Sequence, residues 1–282
     1  MASTVVVKVV SPRAAPRTAQ RLAVVVGAQV AFAIIAPLFT MVDARKQDLF
    51  TGISGPSASH ILGTDSLGRD IFAQLLAGGQ TLVVGAFLIA LGAMLAGSLV
   101  GLLAASSPGW LGSGLMRLID AIYAVPALLV AIVLTGVTGG GFGMAVAMMA
   151  ILFIPYDARL VRAATLVELQ KPYVDAASQL GLRKWKLLFF ELWPNVRGLE
   201  ISNACVNFAY ALVTLSALSF LGIGLPADAI DWGLTLANSV SYLTINPWAA
   251  LAPGLAIVSI ATTVALLGDA SQEYFTAKGR SL

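Results

Sequence analysis

The stretch "PYVDAASQLGLRKWKLLFFELWPN", residues 172–195, interrupts a chain that is otherwise mostly apolar. Pro172 suits the first turn of a helix, where its missing N–H costs nothing. Asp175 falls in that same turn, where a carboxylate faces the positive end of the helix dipole. Ala176 and Ala177 are small, strong helix formers, and Gly181 supplies the left-handed residue that closes a short helix. Beyond the glycine the character changes. Leu182, Trp185, Leu188, Phe189 and Leu192 are expected to share one face while Arg183, Lys184 and Lys186 sit elsewhere. That pattern is a basic amphipathic segment suited to a membrane surface, and Pro194 is expected to limit it. Two readings stay open on the residues alone. The segment is either an interfacial loop that satisfies membrane packing, or a projecting helix whose small side chains enter a groove on another protein.

Composition explains why a membrane enters the reading at all. The chain has 282 residues, 58% of them hydrophobic and 11% charged, with mean hydropathy +0.88. Soluble domains carry about 25% charged residues. The net charge of +3 and pI near 9.1 could suit a nucleic acid, but the charges are distributed as membrane orientation requires, so no nucleic-acid partner is expected. A single cysteine, Cys205, excludes an internal disulfide and a cysteine-based zinc cage. It lies in an apolar run and reads as a packing residue, while one histidine, His60, cannot build a His-rich metal site.

Spans follow from the need for about 20 apolar residues per crossing helix. The first runs over Leu22–Val42 and reads as retained rather than cleaved, since it is long for a signal and lacks a clear cleavage site. The second centres on Leu82–Ala105. The uncharged run Ala121–Tyr156, split by "TGGGFG", holds the third and fourth, Ile201–Leu221 is the fifth, and about Leu251–Gly268 the last. The fold class is therefore all-α integral membrane with six transmembrane helices. With both termini inside, fourteen of the seventeen Lys and Arg fall on the inner side, seven of them between residues 157 and 200. Only Arg45, Lys46 and Arg69 fall outside, so the positive-inside rule selects N-in and C-in. The organisation reads as a basic cytoplasmic tail (1–21), one six-helix domain (22–270) with a cytoplasmic insert (157–200), and a cytoplasmic tail (271–282).

"DAASQLG" followed by "WPN" resembles the coupling segment of ATP-binding-cassette importer permeases. Their pattern is Glu-Ala-Ala, three residues, Gly, then Leu-Pro twelve residues beyond the glycine. Asp175 stands for the Glu and Trp193 for the Leu, while Ala176, Ala177, Gly181 and Pro194 match. "HILGTDSLGRDIFAQLLAGGQTLVVG", residues 60–85, is similar to a stretch of the dipeptide, oligopeptide and nickel branch. It departs at Ile61, Gln80 and Thr81, where members carry Pro, Arg and Ser. Gly63 and Gly68 flank turns there, Asp65 or Asp70 can cap the entering helix, and Arg69 can pair with an aspartate. This stretch reads as an outer fold element rather than a substrate site. Residues 218–257 resemble the branch's outer loop, with Trp232 and Trp248 placed as interfacial aromatics. "MRLIDAIYAVPALLVAIVL" and "LLGD" resemble its third and last spans.

The resemblance implies a type I importer permease fold and a chain that translocates short peptides. Tyr173, Val174, Asp175, Ala176, Ala177, Ser178, Leu180 and Gly181 would form the ATPase-coupling helix, supported by Trp185, Pro194 and Asn195. The implied partners are a second homologous permease, two cytoplasmic ATPase subunits or domains, an extracytoplasmic substrate-binding protein and membrane lipid, in a bacterial-type cell membrane. No Gly-x-x-x-x-Gly-Lys-Ser/Thr loop occurs in the chain. ATP and Mg²⁺ are therefore expected on the partners, with no cofactor or metal on this chain and no enzymatic activity of its own. Nickel chelates, glutathione, haem or opines are the alternative cargoes.

A lone ion-coupled carrier is the competing class. It requires ionisable groups or broken helices near the midplane, whereas Asp120, Asp157 and Glu200 read as lying near inner helix ends. Asp120 is either a helix-end residue or part of a polar pathway. An intramembrane enzyme lacks a paired nucleophile and base, because His60 lies in an outer loop.

Overall fold

The computed structural model describes residues 15–39, 44–107, 109–138, 141–226 and 229–279. The expected tail up to residue 14, the end of the expected first span (40–42), two glycines of "TGGGFG" and residues 280–282 lie outside them. The described residues form ten α-helices and no strand, only isolated bridges at Ser54, Thr64 and Asp70. In chain order they are α1 (Ala15–Phe39), α2 (Ile71–Ser106), α3 (Trp110–Tyr123), α4 (Ala127–Thr138), α5 (Phe142–Glu168), α6 (Pro172–Gln179), α7 (Lys184–Lys186), α8 (Trp193–Phe220), α9 (Trp232–Ser239) and α10 (Trp248–Gly279). A π-helical turn, Leu187–Leu192, joins α7 to α8 without a break.

Five of these segments are long and apolar enough to cross a membrane: α1, α2, α5, the run Lys184–Phe220 and α10. The expected third span instead falls on α3 and α4, of 14 and 12 residues, which break at Ala124–Pro126. Proline removes a helix hydrogen bond and clashes with the preceding turn, which accounts for a break there. α2, at 36 residues, is ~54 Å long, well beyond a ~30 Å hydrocarbon core.

Within lipid, packing rather than hydrophobic expulsion draws helices together, and small residues permit close approach. Gly97 and Gly101, one turn apart on α2, do this against α5. A Cβ on Gly101 would lie 2.7 Å from the Ala158 carbonyl oxygen, and one on Gly97 would strike the Asp157 side chain. The central core is Leu82, Ala86 and Ile89 of α2, Met149 of α5, Leu212 and Leu215 of α8, and Ile260 of α10, all buried.

The segment between α1 and α2 is held by polar bonds. Asp70 caps α2 through the Ala73 amide at 2.8 Å and meets His60 Nδ1 at 2.8 Å. Asp65 accepts from Arg69 Nε at 2.7 Å and Gln74 Nε2 at 2.8 Å. Asn246 Nδ2 donates to the Leu62 carbonyl at 2.9 Å, tying this segment to the loop before α10. Trp232 differs from the interfacial role expected of it. It is buried, its ring lies on Gly78 and Gly79, and Nε1 donates to the Leu75 carbonyl at 2.7 Å. Trp248 is half-exposed.

Candidate functional site

α6 stands where α5 ends, and its start is set by local chemistry. Lys171 is extended ahead of Pro172, as a residue preceding proline prefers. Its end is set by Gly181 at φ 78°, with the Leu182 amide donating to the Ala177 carbonyl (3.2 Å) and the Gly181 amide to that of Ser178 (3.0 Å). This is the helix-closing arrangement that favours glycine. A Cβ at Gly181 would meet no atom within 4 Å, so the backbone angle alone makes the requirement.

One side of α6 is anchored. Val174 is buried with Leu102 of α2, Val161 of α5, Val196 of α8, and Leu188 and Leu192 of the π turn. Tyr173 Oη donates to Glu168 Oε1 at 2.8 Å and accepts from Asn195 Nδ2 at 3.2 Å, while Lys171 Nζ meets Glu168 Oε2 at 2.8 Å. Burial, and then the adjoining Glu168, push the Tyr173 hydroxyl up to about 12, so it remains a donor. These bonds bracket α6 between the end of α5 and the start of α8.

The other side is bare. Asp175, Ala176 and Ser178 are exposed, Ala177 is half-buried, and Leu180 is 81% exposed. A large aliphatic side chain this open beside small residues gives an apolar knob on a low surface.

Two expected supports sit differently. Trp185 makes its ring contacts within its own segment, edge-on to Phe190 at 6.0 Å and under Lys186 Nζ at 5.7 Å. Pro194 ends nothing: it lies in the first turn of α8, and the chain stays helical through it. The single apolar face expected over 182–192 is also split. Leu188 and Leu192 are buried, whereas Trp185, Phe189 and Phe190 are exposed. A π turn carries more residues per turn than an α-helix, which rotates the two sets apart.

A second site was not expected from the sequence. Tyr123, Tyr156 and Tyr210, all exposed, line a cleft of about 490 Å³ with Phe153, Asn207 and Thr214, between the end of α3, α5 and α8. At its edge Arg159 Nη2 pairs with Asp120 Oδ1 at 2.6 Å and lies 4.4 Å over the Tyr123 ring. Asp120 is thus both a helix-end residue and part of a polar wall. Behind the cleft, Asp157 Oδ1 accepts from Asn203 Nδ2 and Asn207 Nδ2, each at 2.7 Å. Glu200, wholly buried beside it, has no partner within hydrogen-bond geometry for either oxygen among the described residues. Asp157 and Glu200 are thus held within the packing of the helices. The signal was present in the sequence: Asn203, Asn207, Tyr210 and Thr214 recur at helical spacing along an apolar run.

Among the described residues no group of His, Cys, Asp and Glu is placed to hold a metal ion. Residues 97–280 match the family described as binding-protein-dependent transport system inner membrane component. A glutathione transport system permease of Pectobacterium atrosepticum is 36% identical over 228 residues, 80% of this chain and 75% of that protein. A di/tripeptide permease of Pseudomonas aeruginosa is 35% identical over 77% of this chain and 72% of its own length. A dipeptide permease of Alkalihalophilus pseudofirmus is 29% identical over 92% and 85%. By the extent of these matches, and with helices apolar enough to cross a membrane several times, the chain belongs to the inner membrane components of binding-protein-dependent transport systems.

Proposed function

We propose that this chain is the permease half of an ATP-driven importer of short peptides, and that α6 is the element through which partner ATPases move it. The observation that carries this is the two-sidedness of α6. One face is fastened to α2, α5 and α8, and the other presents Asp175, Ala176, Ser178 and Leu180 bare. A helix merely resting on the membrane would expose a face of charge, not a small-residue face with one apolar knob.

In this reading six spans run N-in and C-in, with α3 and α4 together making the third. A second, homologous permease faces the tyrosine-lined cleft and completes the pathway. Two ATPase subunits, which bring ATP and Mg²⁺, receive α6 and its counterpart, and an extracytoplasmic binding protein delivers cargo from above. Closure of the ATPase pair pulls on α6, and its bracket passes that displacement to α5 and α8, alternating the access of the cleft. Aromatic rings with a few polar groups suit peptides of varied side chain. Glutathione is the second cargo, favoured by the 36% identity to a glutathione permease.

The test is Gly181→Val in the assembled transporter. A β-branched residue at this φ is strained, yet an added Cβ meets no atom within 4 Å. Uptake and cargo-stimulated ATP hydrolysis are expected to fall more than tenfold, with normal membrane insertion. Retention of both activities would remove α6 from the coupling role.

A further inference from the structure

An apolar groove of about 470 Å³ runs between α1, α2, α8 and α10, and no step of the proposed transport cycle uses it. On α8 it is lined by Ile201, Ala204, Cys205 and Phe208. Extending that stripe one turn toward the start of α8 reaches Arg197, which is exposed and forms no hydrogen bond or ion pair. At 100° per residue these five positions occupy an arc about 100° wide, so position 197 lies on the groove's own face.

We propose that this groove is a binding site for one anionic phospholipid, with an acyl chain between the four helices and the headgroup phosphate on Arg197. The groove is lined almost wholly by apolar side chains, which suits an acyl chain. Depth fits as well: Arg197 to Phe208 spans ~16 Å of helix, one leaflet. Charge chooses among lipids. A guanidinium pairs bidentately with phosphate, and zwitterionic headgroups offset that charge with their own ammonium. Arg17 and Arg21 do not share this role, because they lie on the face of α1 opposite Val26, Val30 and Ile34, its groove-lining residues.

The test places the full-length chain, alone and in the assembled transporter, in phosphatidylcholine nanodiscs. These contain a trace of phosphatidylglycerol or of phosphatidylcholine carrying a diazirine on the acyl chain. Both leaflets of a nanodisc are alike, so the outcome does not depend on the sidedness proposed above. The phosphatidylglycerol probe is expected to mark residues 201–208 and 26–34 about fivefold more than the phosphatidylcholine probe, the attraction of one basic residue for an anionic surface. Arg197→Gln should bring the two probes level. Equal marking in the wild type, marking that survives Arg197→Gln, or cross-links from these residues to another protein chain would each overturn the assignment.

Discussion

Asp157 shows how much one side chain can organise inside an apolar bundle. Its Oδ1 takes both the Asn203 and the Asn207 amide, so removing it strands two polar groups in a packed interior. Each stranded donor costs about 1–3 kcal/mol. Asp157→Ala is expected to lower the thermal midpoint of the detergent-solubilised protein, and Asp157→Asn, which keeps an acceptor oxygen, to restore most of it. An alanine variant as stable as the parent would show that the asparagines find other acceptors. Asp231 makes the opposite case in the loop between α8 and α9. It caps α9 through the Gly233 amide at 2.9 Å, while burial pushes its carboxyl up to about 6 against the opposing pull of the Gly233 and Leu234 amides. The folded protein keeps this proton up to about pH 6, whereas the unfolded chain releases it near 3.8. Stability from this group therefore declines as pH rises between those values, by about 3 kcal/mol in all. Asp231→Asn, still a good cap, is expected to flatten the dependence of melting temperature on pH between 4 and 7 and to exceed the parent at pH 7. An unchanged slope would mean that Asp231 is ionised throughout. The sequence reading named Asp157 but not its partners, because Asp157 and Asn207 lie 50 positions apart and meet only when α5 and α8 pack.

At the scale of elements, legibility depended on whether the cause was local. The start of α6 at Pro172 and its close at Gly181 are fixed by neighbours in the chain, and both were readable. So were a cap by one of two aspartates, which proves to be Asp70, and the pairing of Arg69 with an aspartate, which proves to be Asp65. The π turn at Leu187–Leu192 was not, since it arises where Leu188 and Leu192 must reach the cluster around Val174 while the chain continues into α8. A strict 3.6-residue periodicity misassigns every face after such an insertion. Burial of Trp232 was likewise hidden, because two glycines of α2 make its berth. The bracket around α6 carries its own prediction. Tyr173→Phe deletes the bonds to Glu168 and Asn195 but leaves the ring and the Val174 anchor. A half-buried hydroxyl bonded to a carboxylate contributes about 1–2 kcal/mol, enough to loosen α6 without unfolding it. Cargo uptake per ATP hydrolysed is expected to fall severalfold at normal expression. An unchanged ratio would show that these bonds carry none of the coupling proposed for α6.

For the whole molecule, the open question of architecture is whether α3 and α4 jointly cross the membrane, and it has a two-site answer. α4, at 12 residues, is ~18 Å long and too short to span alone. With α3 and α4 crossing as one unit, three crossings separate Ala58 in the outer segment from Gln179 at the end of α6, and the two face opposite sides. Without it only α2 and α5 intervene, and they face the same side. Both positions are exposed. Cysteines placed there singly, in a Cys205→Ala background, are therefore a direct parity test with an impermeant thiol reagent. Ala58→Cys is expected to react in intact cells and Gln179→Cys only after permeabilisation. The charge distribution sets this expectation, since a result with both positions outside would place the seven basic residues of 157–200 on the outer face, against the bias that orients membrane helices. Reaction of both cysteines in intact cells would leave α6 outside, beyond reach of any cytoplasmic ATPase. Six-span topology and coupling would then fall together, while the packing of α2, α5, α8 and α10 would stand.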